Sequence, residues 1–167
     1  MVPNLELKTL TKEELVALVF SHGNPILDYL KPEYDFMPRG RFSGFTFFSP
    51  DGLLHSKEDS KYAVAFDANN QRGTPYNLVG IVHLSIPHKS IPNFPVCEHV
   101  LETVDTHESY QNQGVAKALL GYLNRELTGS HIAITPERGA GKAVEIHNTV
   151  RRLMPECTLY FIPEDML

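Results

Sequence analysis

Val104-Asp105-Thr106-His107-Glu108-Ser109-Tyr110-Gln111-Asn112-Gln113-Gly114-Val115-Ala116-Lys117-Ala118-Leu119-Leu120 is the most informative run in the chain. Residues Glu98 to Thr106 alternate as a strand does. From Val115 to Leu127 the period changes, and Ala116, Leu119, Leu120 and Leu123 fall on one helical face. A strand therefore passes into a helix through a short loop that holds Gly114. The first N–H groups of a helix have no partner within it, and they sit at the positive end of its dipole, so this corner is a potential anion site. Gly114 and Ala116 carry no side chain that would keep a phosphate from the main chain, and Gln111 and Gln113 add neutral donors. Small residues also suit a tight strand–helix corner that binds nothing. Taken alone, the turn leaves those two readings level.

On the N-terminal side of this run, Tyr62-Ala63-Val64-Ala65-Phe66-Asp67 reads as a strand and Asn69-Asn70-Gln71-Arg72-Gly73 as a turn. Tyr76 to Ile86 reads as a second strand, completing a hairpin, and Pro87, Pro92 and Pro95 mark a loop. On the C-terminal side come a short buried strand at His131–Thr135, a helix over Gly139–Leu153 with Ala143, Ile146, Val150 and Leu153 on its face, and a last strand at Thr158–Ile162. Nearer the start, Thr11-Lys12-Glu13-Glu14 is a capping box. It opens a helix whose apolar face is Leu15, Leu18 and Val19 and which ends near Ser21-His22-Gly23. From Asn24 to Lys57 four prolines (Pro25, Pro32, Pro38, Pro50) break the pattern, while Tyr29, Tyr34, Phe36, Phe42, Phe45, Phe47 and Phe48 supply aromatic surface. Those rings serve either as packing over an irregular segment or as a wall of an acceptor pocket. The order, a helix, then antiparallel strands, then strand–helix–strand–helix–strand, predicts one α/β domain over residues 1–167 with a mixed sheet.

Gln111-x-x-Gly114-x-Ala116, placed after a strand and opening a helix, resembles the Gln/Arg-x-x-Gly-x-Gly/Ala signature of the GNAT N-acetyltransferases. The approach Asp105–Tyr110 and the helix start Lys117-Ala118-Leu119-Leu120 resemble that family too, and the likeness spans roughly Lys61 to Met154. The resemblance implies a mostly antiparallel central sheet flanked by helices, with a splayed central strand and acetyl-CoA in the gap. It implies that pantetheine pairs with main-chain groups near Val104 and Thr106. It places the pyrophosphate on the N–H groups of Gln113, Gly114, Val115 and Ala116, with Gln111 and Asn112 in the same turn. No metal is implied.

Direct transfer of an acetyl group needs a deprotonated amine, a polarised carbonyl and a proton for the leaving thiolate. Glu102 shares strand parity with Val104 and Thr106, so it is expected on their face of the sheet as a general base. Glu98 and Glu108 are weaker rivals. Ala143-Val144-Glu145-Ile146-His147 resembles the family's Ala-x-x-x-Tyr run, with His147 where the Tyr acid often stands; an imidazolium can donate a proton near neutral pH. Asn148, next to it, is a candidate cofactor contact. N–H groups of the splayed strand near Thr106 are expected to stabilise the oxyanion.

Composition narrows the remaining choices. The chain has 167 residues, 42% of them hydrophobic and 21% charged, with a formal net charge of −5, which suits a globular protein and disfavours a general nucleic-acid binder. No run approaches the roughly 18 apolar residues of a membrane span, and the N-terminus lacks a signal-peptide pattern, so a cytoplasmic protein is expected. Cys97 and Cys157, without CxxC spacing, read as reduced thiols. Gly139-Ala140-Gly141-Lys142 fails as a phosphate loop because Pro136 stands where the first Gly is needed and Ala143 where Ser or Thr is needed. None of the eight histidines has metal-ligand spacing. The expected acceptor is a small-molecule or protein amine, and a homodimer is the default assembly. The alternative is a non-catalytic acyl-CoA-binding or interaction module on the same fold, suggested by the missing Tyr.

Overall fold

Residues 2, 4–19, 45–69, 78–87, 95–135 and 143–162 are described by the computed structural model, with main chain alone for 50, 51 and 143–147. The expected end of the first helix, the turn at 70–73 and the Gly-Lys run at 139–142 lie outside them, as does the aromatic segment up to residue 44.

Six strands form the sheet: β1 (Leu5–Thr11), β2 (Lys61–Asp67) and β3 (Leu78–Ser85), the last two buried along nearly their whole length, then β4 (His99–Thr106), β5 (His131–Ile134) and β6 (Thr158–Phe161). They lie side by side in chain order. The first four are antiparallel neighbours, whereas β4–β5 and β5–β6 are parallel. Parallel neighbours need a crossover, and two helices supply it: α3 (Val115–Glu126) after β4, and α4 (Ala143–Leu153) after β5. α1 (Lys12–Val19) and α2 (Pro50–His55) precede β2. This is the mixed, mostly antiparallel sheet flanked by helices that the sequence predicts.

Two elements add to that expectation. β1 is an edge strand whose exposed Lys8 and Thr9 dilute its alternation, and it pairs with β2 from Leu5↔Asp67 to Thr11↔Lys61. α2 is only six residues long, too short for a helical period to register. It is set by its ends: the Ser49 hydroxyl accepts from Gly52 N at 3.0 Å, and Pro50 occupies the first turn. The capping box at Thr11 forms as expected. Thr11 Oγ1 accepts from Glu14 N at 3.1 Å, and Glu14 Oε1 accepts from Thr11 N at 3.2 Å, a pairing worth about 1 kcal/mol.

Two of the three cores among the described residues lie on opposite faces of the sheet. On one face Leu119, Leu120 and Leu123 of α3 pack with Val82, Leu84, Leu101 and Ile132; on the other Leu15, Val19 and Leu53 pack with Tyr62, Val64 and Ile81. Gly80 sets the first of these. A Cβ there would stand 2.5 Å from Val115 Cγ1 and 2.9 Å from Leu119 Cδ1, so the start of α3 lies directly on β3 because residue 80 is bare.

β4 is irregular on both edges. Against β3 the register runs His83↔Thr103 and then Leu84↔Leu101, so Glu102 is an extra residue, a β-bulge. Against β5 the pairing covers only His99–Leu101, and Thr135 closes it by donating to Leu101 O from its N–H and Oγ1 and to Glu102 O from Oγ1. From Thr103 to Thr106 no strand among the described residues lies on that side. The expected splay of the central strand from its parallel neighbour falls beside residues 136–142, which lie outside the described residues. No helix among the described residues is long and apolar enough to cross a membrane.

Candidate functional site

β4 leads through a short turn into α3. His107 to Tyr110 tighten into a 3-10 turn, with His107 Nδ1 accepting from Ser109 N at 3.1 Å and Tyr110 N donating to His107 O at 2.8 Å. Asn112 (φ 62°) and Gly114 (φ 82°) then take left-handed conformations that reverse the chain into the helix. Gly114 is the N-cap and supplies no side-chain bond to the helix start. Among the described residues no hydrogen bond takes up the main-chain N–H groups of Gln113 to Lys117. A cluster of free N–H groups at a helix dipole's positive end is what an oxyanion group needs.

An open cleft of about 410 Å³ holds this turn and the unpaired end of β4 together, lined by Val104, Asp105, Thr106, Tyr110, Gln111, Asn112, Gly114, Val115, Ala116 and Lys117, with Thr46 and Phe47 opposite. Seven of the expected cofactor contacts, Val104, Thr106, Gln111, Asn112, Gly114, Val115 and Ala116, thus meet in one place. Gln113 does not line the cleft, because its side-chain amide donates to Ser109 O at 3.2 Å and braces the turn from outside. Asn148 is exposed on α4 and is not among the cleft's lining residues. The side chain of His147 lies outside the described residues.

Glu102 requires a correction. The bulge interrupts the strand's alternation at this residue, so Glu102 does not share the face of Val104 and Thr106. Its Oε1 accepts from the Ser85 hydroxyl at 2.7 Å. Leu84 belongs to the core under α3, so Ser85 and His83 project from the opposite face, towards α1 and α2, and Glu102 is there with them. His83 stacks on Tyr62 (ring centroids 4.7 Å apart, planes 10° apart), and its Nε2 lies 3.1 Å from Ser60 Oγ. Burial pushes the imidazole below its ordinary value, and the Glu102 carboxylate partly offsets this. A second cavity of about 110 Å³ lies on this side, lined by Phe47, Phe48, Ser49, Gly52, Leu53, Tyr62, Ile81, His83 and Thr103. The rival carboxylates are elsewhere. Glu98 is held at the start of β5 by His131 N at 2.6 Å, which keeps its carboxyl below the usual range, and Glu108 is exposed on the 3-10 turn.

Asp105, Tyr110, Lys117, Thr46 and Phe47 were not singled out as site residues by the sequence. Asp105 is buried, and its carboxylate accepts from Thr46 N (3.2 Å), Phe47 N (2.7 Å) and Phe48 N (2.8 Å). One side chain of β4 thereby holds the segment that walls both cavities. Tyr110 is buried beneath the cleft and donates its hydroxyl to the buried Asp67 at 2.8 Å. Lys117, exposed at the cleft rim, adds the one cation among its lining residues. For Asp105 the sequence signal was an aspartate inside a strand, where a carboxylate is costly without donors, and Phe47 belongs to the aromatic run read as packing or as a wall of an acceptor pocket.

No protein-family model matches the chain, and no curated protein sequence does. Among solved structures it is similar to an aminoglycoside acetyltransferase, meta-AAC0020, from an uncultured soil metagenomic sample, in complex with sisomicin: 13% identity over 88% of this chain and 87% of that one, TM-score 0.48. It is also similar to the aminoglycoside N-acetyltransferase AAC(6')-Iy in complex with CoA (14% identity, 88% and 86% covered, TM-score 0.49). A third is a transcriptional regulator from Bacillus halodurans C-125 (13%, 88% and 91%, TM-score 0.43).

Proposed function

We propose that this chain is a GNAT-type N-acetyltransferase that moves the acetyl group of acetyl-CoA directly to a primary amine. One observation carries the reading: the end of β4 that pairs with no described strand on its β5 side and the free N–H groups of Gly114–Lys117 open onto a single cleft. An extended amide-bearing arm can pair with such a strand edge, and a pyrophosphate suits such a helix start. The fit is one of shape as well as charge. Gly114 offers no Cβ at a left-handed corner, Ala116 is small, and Lys117 stands at the rim for a phosphate. The sequence resemblance to the GNAT signature at Gln111–Ala116 falls on this same turn.

When bound, acetyl-CoA supplies an activated acyl group. The chain's own residues then have separable tasks. The β4 edge near Val104 and Thr106 aligns the arm, and N–H groups near Thr106 stabilise the charge that develops on the acyl oxygen. The amine approaches from the α1/α2 side, where Ser85 orients Glu102 and leaves Oε2 to accept the ammonium proton. The freed nitrogen lone pair forms the C–N bond as the C–S bond breaks, and the thiolate takes up a proton. His147 is the donor proposed for that proton, on the sequence resemblance alone. The overall change converts an ammonium and a thioester into an amide, a thiol and one proton.

Calorimetric titration with acetyl-CoA, CoA and ATP tests the reading. Saturable binding of the first two and none of ATP is the expected result. No binding of either thioester or thiol removes it. Binding without turnover of any amine points to the non-catalytic acyl-CoA module instead.

A further inference from the structure

The cavity on the α1/α2 side of β4 carries information about the acceptor, provided that the acetyltransferase reading holds. Its walls combine the rings and alkyl groups of Phe47, Phe48, Leu53, Tyr62 and Ile81 with the polar groups of Ser49, His83 and Thr103 and the main chain at Gly52. Among the described residues no Asp or Glu lines it. A polycationic aminosugar would there lose water from several ammonium and hydroxyl groups and regain few partners. At about 110 Å³ it is smaller than the roughly 150 Å³ at which a closed apolar cavity binds benzene, so only a compact body enters it. Phe47 lines both this cavity and the cleft, so a body seated in the one lies beside the contents of the other.

The charge distribution gives the orientation. Glu102 is the bulged residue next to Thr103, which lines the cavity, and its carboxylate is held by Ser85 on the cavity's face of the sheet. A single ammonium group at that edge, with its apolar body inward, satisfies the carboxylate and buries carbon against carbon. The other nearby carboxylate, Asp105, already accepts three main-chain N–H groups. We infer that the acceptor is a primary monoamine on a compact apolar or aromatic body, seated among Phe47, Tyr62 and Ile81 with its nitrogen at Glu102.

The experiment compares kcat/KM with acetyl-CoA for 2-phenylethylamine, for kanamycin and for a lysine-containing peptide, after calorimetry has established acetyl-CoA binding. The expected preference for phenylethylamine is at least about 100-fold, the selectivity that roughly 3 kcal/mol supplies. Thr103→Met, which fills the cavity from a half-exposed strand position, should raise the KM for phenylethylamine about tenfold with acetyl-CoA affinity and melting temperature unchanged. Phe47→Ala, at a residue 52% exposed and so tolerant of truncation, should also raise that KM. Failure to bind acetyl-CoA overturns the enzyme reading itself. Binding with a preference for kanamycin or the peptide, or with no amine acetylated, overturns the acceptor class alone. So does an effect of Thr103→Met on butyryl-CoA rather than on the amine, which assigns the cavity to the acyl chain.

Discussion

The two faces of β4 are built from different materials. Towards α3, the cleft's recognition surface is main chain: a strand edge, a left-handed glycine and the first turn of a helix, all within residues 104–117. Towards α1 and α2, the surface is side chain. Phe47 comes from the segment before α2, Tyr62 from β2, Ile81 and His83 from β3, and Glu102 and Thr103 from β4. A site of N–H groups needs only a local turn and small residues, so it is written contiguously and tolerates change in whatever side chains point away. A site of side chains needs register between strands and a capped helix above them. It can change specificity residue by residue while the other face stays constant. Asp105 joins the two, because its carboxylate fixes residues 46–48 against β4.

The comparison breaks most directly at Gly114. Gly114→Glu places bulk and negative charge at a φ of 82° beside the free N–H groups. Acetyl-CoA affinity should fall by at least about 1,000-fold, near 4 kcal/mol, in calorimetry on a protein whose circular dichroism is unchanged; retained affinity dissolves the main-chain cradle. On the other face, Glu102→Gln keeps the Ser85 contact and removes the proposed base. Turnover should drop about 100-fold with acetyl-CoA affinity intact, and a loss of affinity instead would mean that the faces are not separable. Asp105→Asn probes the joint between them. Exchanging a charged acceptor of three N–H bonds for a neutral amide should cost about 2 kcal/mol in urea unfolding and raise the KM of both substrates. An effect on only one KM would assign the 46–48 segment to that face.

The smallest effect is set by protons. His83, His99 and His107 are each pushed below the ordinary value of 6.5 by burial. The unfolded chain therefore takes up protons at a higher pH than the folded one. Stability is full above 6.5 and declines as pH falls below it, until the folded-state values are passed. Melting temperature should fall between pH 7.5 and 5.5, and His83→Gln should flatten part of that fall. An unchanged slope in the variant would mean that His83 is as readily protonated in the fold as outside it.

Much of the scaffold was legible because it depends on period and on local chemistry. β2 matches its expected range residue for residue after Lys61, and β4, α3, β5 and β6 differ from expectation by a residue or so at an end. The Thr11 capping box formed as its spacing predicts. β1 escaped because one-sided burial at an edge leaves a weak alternation, and α2 because six residues carry less than two turns. Glu102 was assigned the wrong face because parity assumes an uninterrupted strand, and a bulge appears only when β4 meets β3.

By itself, then, the sequence determined the order of elements from β2 onward, the strand–glycine–helix corner and the small residues that leave its N–H groups open. Each is a property of neighbours along the chain. Only the tertiary structure decided that Glu102 faces α2, that Asp105 holds the wall shared by both cavities and that Tyr110 reaches Asp67 beneath the cleft. These contacts join residues 17 to 58 positions apart. Their geometry exists only after the sheet has set its register, and buried polar groups then pair with whatever donors that register brings within reach.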